Sequence, residues 1–161
     1  MIQQQRTEQI HQGGFAGHST APGFAGLGIA PKLLEILAWL KFTVPTPIQY
    51  KAIPVATEGK DVIGIAQTGT GKTLAFGVPL IQRLMQTRED MGLIILPTRE
   101  LALQANEMLL KVGRTLGIRT AVLIGGASMG YQIQALRKNP HIVIGTPGRI
   151  IDHLNQKTLI L

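Results

Sequence analysis

Four short apolar runs, each followed by a stretch with helical periodicity, limit the folds open to this chain more than any other feature. The runs are "DVIGIA" (61–66), "GLIIL" (92–96), "RTAVLIG" (119–125) and "HIVIGT" (141–146). They are too continuous for a sheet with one wet face, so they predict strands covered on both sides. The stretches between them are "KTLAFGVPLIQRLMQ" (72–86), "RELALQANEMLLKVG" (99–113), "GYQIQALRK" (130–138) and "PGRIIDHLNQ" (147–156). These predict helices, the first kinked at Pro79. Alternation of this kind predicts an α/β fold, a mostly parallel sheet flanked by helices and joined by right-handed crossovers.

The segments before the first run differ. Residues 1–22 are rich in Gln, Gly, His and Ser without periodicity and predict a mobile tail that holds His11 and His18. "APKLLEILAWLKF" predicts a short amphipathic helix, with Pro31 at its first position and Leu33, Leu34, Leu37 and Leu40 on one face. Trp39 reads as a packing residue. "TVPTPIQ" then breaks the chain.

Composition closes several classes. The chain has 161 residues and is 45% hydrophobic and 16% charged, which fits one globular domain rather than a disordered chain. With no cysteine, neither a disulfide framework nor a thiolate metal site can be built. No apolar run is long enough for a membrane span, and the first residues do not have the pattern of a secretory signal. The net charge of +7 points to a polyanionic partner. Between residues 105 and 149 there are six cations and one acid, Glu107. A solvated basic surface and a nucleic-acid surface both fit that count.

"AQTGTGKT" (66–73) carries the most specific chemistry. It follows an apolar run and opens a helix, the context a phosphate loop requires. Gly69 and Gly71 permit backbone angles that let the N–H groups of Gln67, Thr68, Gly69, Thr70, Gly71 and Leu74 turn on a phosphate chain. Lys72 supplies a full charge there, and the Thr73 hydroxyl is placed to ligate magnesium. Such a loop normally works with an acid at the end of a neighbouring strand. Here "LIIL" runs into Pro97, "AVLI" into Gly125 and "IVI" into Gly145. Asp61 precedes its run and Asp152 falls in a predicted helix, so the sequence offers no such acid.

Several motifs together resemble those of DEAD-box RNA helicases. "KFTVPTPIQ" with an isolated Phe24 is similar to the Q motif, "AQTGTGKT" to motif I, and "PTREL" to motif Ia. Gly125 and Gly126 are similar to the double-glycine motif, and "TPGR" (146–149) to motif Ib. The order is that of the family, across residues 24–161, and Lys41 stands where the family usually has glycine. The resemblance implies a partial RecA-like ATP-binding domain over residues 23–161, with ATP and magnesium as cofactors and a cytoplasmic location. It implies that Gln49 reads the adenine edge beside Thr46, and that Phe24 stacks on the base. It implies that Pro97, Thr98, Arg99, Glu100, Gly125, Gly126, Thr146, Pro147, Gly148 and Arg149 hold an RNA backbone without reading bases. Without the resemblance, Gln49 reads as a turn residue, Phe24 as a staple onto the next helix, and Thr98 and Thr146 as helix caps. His141, His153 and the methionines read as packing or surface.

The chain ends at "KTLIL" before the strand that would carry the DEAD sequence. The resemblance therefore implies a first lobe incomplete at its C-terminus, with an open edge inside the sheet, and a second RecA-like lobe in the longer protein. Catalysis would need that remainder, so these residues alone are expected not to turn over ATP. Two other readings stay open: a non-catalytic module binding nucleotide and RNA, and another phosphate-loop enzyme such as a kinase or a RecA-type DNA motor.

Overall fold

β3, Ile142–Gly145, is buried at every position and lies in the middle of the sheet. It pairs in parallel with β1, Gly92–Ile95, on one side and with β2, Thr120–Leu123, on the other. The computed structural model that gives this arrangement describes residues 23–87 and 89–161. The predicted tail with His11 and His18 lies outside the described residues.

The strand residues divide by the period of two. Ile142 and Ile144 of β3 join one core with Ile94, Val122 and residues of α1 (Pro31–Trp39), α3 (Lys72–Gln86) and α4 (Arg99–Gly113). Val143 joins a second core with Ala121, Leu123, Leu136 of α5 (Met129–Leu136) and Ile150 of α6 (Pro147–Asn155). Both faces of the sheet are therefore covered, as the continuous apolar runs predict. A fully buried isoleucine contributes about 1.5–3 kcal/mol, so these alternating positions fix the register. The sheet order β1-β3-β2 brings the C-terminal ends of all three strands to one side.

Three expectations need correction. Residues 61–66 form no strand: they have no partner among the described strands, and Ile63 and Ile65 are each 95% exposed. An apolar run becomes a strand only when a neighbouring strand takes its backbone groups, and none of the described strands does so. The break predicted at "TVPTPIQ" (43–49) instead runs into a helix, α2 (Pro47–Thr57). The missed signal was Thr46-Pro-Ile-Gln49, a capping-box spacing with proline at the first helical position, obscured by the pair Pro45 and Pro47. Trp39 is 76% exposed and joins neither core among the described residues. The leucine stripe of its helix holds, with Leu33 and Leu37 buried and Leu34 and Leu40 against the core.

Candidate functional site

The loop between residue 66 and α3 is turned, not extended. Gly69 (φ 82°) and Gly71 (φ 86°) both sit in the left-handed region, which a side chain would disfavour. Gly71 begins α3 without a side-chain cap, and the first turn carries no acid. The N–H groups of Lys72, Thr73 and Leu74 thus have no intrahelical partner, and the helix dipole is unopposed. Lys72 Nζ donates to the Ala66 carbonyl at 2.6 Å, and Thr70 Oγ1 to the Gln67 carbonyl at 2.7 Å. Gln67, Thr68 and Gly69 are exposed and Thr73 is half-buried. The Leu74 side chain is in the core, so only its N–H faces the expected role.

α2 is braced against this loop. Gln49 is buried, its Oε1 accepts the Thr46 N–H at 3.0 Å, and its Nε2 donates to the Gly71 carbonyl at 3.0 Å. A Cβ on Gly71 would run into the Gln49 carboxamide and stand 3.2 Å from Thr46 Oγ1. Gln49 keeps one N–H and one lone pair unspent. Thr46 Oγ1 is buried without a hydrogen-bond partner. An open helix start and a lysine at the loop mouth fit a chain of phosphates. Phe24 does not reach an open face: it is 5% exposed and lies in the main core with Leu27 and Ile29, which is the staple reading. Among the described residues, no three His, Asp or Glu side chains come together as a metal site.

The second group of predicted residues converges. Thr98 caps α4, its hydroxyl accepting the Leu101 N–H at 3.3 Å. Pro97, Thr98, Arg99 and Glu100 are all exposed. The Arg99 guanidinium lies against Gly126, whose φ of 72° and lack of Cβ allow the approach. Arg149 Nη1 donates to the Ala127 carbonyl at 3.0 Å. The Asp152 carboxylate is 3.4 Å from Arg149 Nε, near enough for an ion pair but not aligned as a hydrogen bond. With 14% of its side chain exposed, Arg149 chiefly braces the Gly125–Gly126 turn. Thr146 starts α6 with no side-chain cap bond, half-buried beside exposed Pro147 and Gly148, so the capping reading fails there and holds at Thr98. Sites at the C-terminal ends of parallel strands are where α/β sheets bind ligands.

Behind that turn lies a network the sequence did not disclose. His153 is fully buried. Its Nε2 is 3.1 Å from Gln132 Oε1 and its Nδ1 2.8 Å from Thr158 Oγ1. Gln132 Nε2 donates to the Ile124 carbonyl at 3.0 Å, which fixes the amide. Gln132 Oε1 can only accept, so His153 Nε2 carries the proton and Nδ1 accepts from Thr158. Burial first, and then the Arg149 charge, hold the His153 pKa below its ordinary value, with Asp152 opposing. No local pattern marks such a network, because Gln132 and His153 are 21 residues apart.

The chain matches a family profile described as DEAD/DEAH box helicase over residues 46–161. It is 50% identical over 139 residues to a DEAD-box ATP-dependent RNA helicase, CshA, of Bacillus cereus, covering 86% of this chain and 26% of the relative. It is 51% identical over 132 residues to an ATP-dependent rRNA helicase, RRP3, of Scheffersomyces stipitis, covering 81% of this chain and 27% of the relative. The chain thus spans about a quarter of the length of these relatives. Among solved structures it is similar to a hypothetical ATP-dependent RNA helicase from Sulfolobus tokodaii. The TM-score is 0.72 and the identity 32%, over 80% of this chain and 37% of the other.

Proposed function

This chain belongs to the DEAD/DEAH box helicase family, and from that membership we propose that it carries the adenine-nucleotide site and one RNA-backbone site of an ATP-dependent RNA helicase. The observation that carries the reading is the contact between Gln49 and Gly71, which ties a buried amide to a left-handed phosphate loop. The N–H groups from Gly69 to Leu74 and the Lys72 ammonium hold the β- and γ-phosphates. The spare N–H and lone pair of Gln49 select adenine. Magnesium, held by the Thr73 hydroxyl, offsets phosphate charge. RNA phosphates lie along Thr98, Arg99, Gly125, Gly126, Thr146 and Gly148, at N–H groups and hydroxyls that read no base. Hydrolysis and strand separation belong to a longer protein with a second RecA-like lobe. A cytoplasmic setting, where RNA and ATP meet, is the location this reading implies. As a 161-residue polypeptide the chain binds without releasing phosphate.

Calorimetric titration of ADP tests this. Lys72→Ala should weaken binding at least about tenfold, a loss of about 1.4 kcal/mol. Equal affinity in both proteins would sink the nucleotide reading. Gln49→Ala should abolish the preference for adenine over guanine; indifference to that change would favour another phosphate-loop enzyme. RNA-stimulated phosphate release by this chain would contradict the binding-only state.

A further inference from the structure

β2 is an edge strand of the sheet, and the surface beside it is not flat. Three depressions of about 410, 380 and 270 Å³ run end to end along it. The first and second share Arg119 and Thr120, and the second and third share Tyr131 and Ala135. The third reaches Ala127, whose carbonyl receives the Arg149 guanidinium. The result is one groove that starts at the Gly125–Gly126 turn and descends the edge of the sheet.

Its chemistry is one-sided. Arg114, Arg119 and Lys138 line it, and among the described residues no acidic side chain does. Tyr131 is 77% exposed where two depressions meet. Arg119 is held in place, its Nε donating to the Lys138 carbonyl at 3.2 Å and its Nη2 to the Asn139 carbonyl at 2.8 Å. That uses two of five N–H donors and fixes the plane of the rest. A positive track punctuated by an open aromatic ring is the arrangement that holds single-stranded nucleic acid. A peptide adding to the strand edge would leave the exposed Tyr131 ring without a base to stack on it.

We propose that single-stranded RNA leaving the site at Gly125–Gly126 turns down this groove, with phosphates on Lys138, Arg119 and Arg114 and one base stacked on Tyr131. The inference rests on the RNA reading above and adds a second stretch of strand to it. It also gives a use to the excess of cations between residues 105 and 149.

The test compares two oligouridines on the 161-residue chain, one just long enough for the first site and one several nucleotides longer. Tyr131→Ala should weaken the longer RNA about tenfold, as loss of one stacked base does, and leave the shorter one unchanged. Arg114→Gln and Lys138→Gln should each reduce the salt slope of the longer RNA by about 0.7. Arg99→Ala, in the first site, should weaken both RNAs. Unchanged binding of the longer RNA by Tyr131→Ala overturns the groove while leaving the first site standing. Equal weakening of both RNAs by Tyr131→Ala also overturns it. Polyglutamate competing for the groove as well in Tyr131→Ala as in the unaltered chain would mark a surface for acidic protein and overturn it too. No RNA binding by the unaltered chain overturns both readings.

Discussion

The phosphate loop and the turn at Gly125–Gly126 each follow an apolar run, yet only one run is a strand. β2 ends against β3, and its loop is laced to its neighbours through Arg99, Arg149 and Gln132. Residues 61–66 pair with no strand, and the loop they feed is held from the other side, by Gln49 of α2 and by the Lys72 clasp. A sheet positions a loop through its strand; here helices alone position the other one. The Gly125–Gly126 turn is therefore preorganised to a greater depth than the loop after residue 66.

The largest expected effect lies in the paired region. Ile144 is fully buried in the central strand. Ile144→Ala should cost about 2–5 kcal/mol, read as a shift of the urea midpoint. A cost below about 1 kcal/mol would mean that the sheet does not anchor this chain, and the contrast between the regions would break.

Glycines sharpen the same contrast. Gly71 has a φ of 86° and faces the Gln49 amide. Gly71→Ala should cost about 1–3 kcal/mol and remove ADP binding with it. Gly125 has open space around its missing Cβ and no positive φ, so Gly125→Ala should change stability by about 0.5 kcal/mol or less. Similar costs at both positions would show that the Gln49 brace matters no more than an open turn.

What could be read from the sequence follows the same divide. Helix α4 begins and ends where its pattern says, because caps, periodicity and a buried face all act locally. The run at 61–66 misled because apolarity signals burial but does not name the partner that provides it. α2 was lost because two prolines looked like a break, although one of them starts the helix. The motif residues of 97–100 and 146–149 lie at the loops and helix starts the sequence assigned to them, whereas Gln49 sits in the missed helix α2. The His153 network was not legible, since His153, Gln132 and Thr158 meet only through the fold.

That network predicts a smaller, pH-dependent effect. The folded pKa of His153 is held down by burial and by Arg149, so the unfolded chain takes up a proton first as pH falls. The stabilisation is full above about 6.5, the ordinary histidine value, and is lost as pH falls through the lower folded value. His153→Gln should flatten the dependence of the urea midpoint between about pH 7 and pH 5. A slope unchanged by the substitution would assign the pH dependence elsewhere. On protonation, Nδ1 would need Thr158 Oγ1 as acceptor. The hydroxyl can allow this by turning its hydrogen to the His153 carbonyl, 3.1 Å away.

The smallest expected effect completes the comparison, because it uses the same residue type in the unpaired run. Ile63 and Ile65 are each 95% exposed, whereas Ile144 is fully buried. Replacing either by serine removes apolar surface that is already in water, so the urea midpoint should move by about 0.5 kcal/mol or less. Self-association should change more than stability, since an exposed apolar segment paired with none of the described strands invites pairing with another copy. Light scattering should therefore fall in the double Ile63→Ser, Ile65→Ser variant at an unchanged midpoint. A midpoint loss like that of Ile144→Ala would mean that residues 61–66 pack in solution, and the loop they feed would then be as well anchored as the Gly125–Gly126 turn.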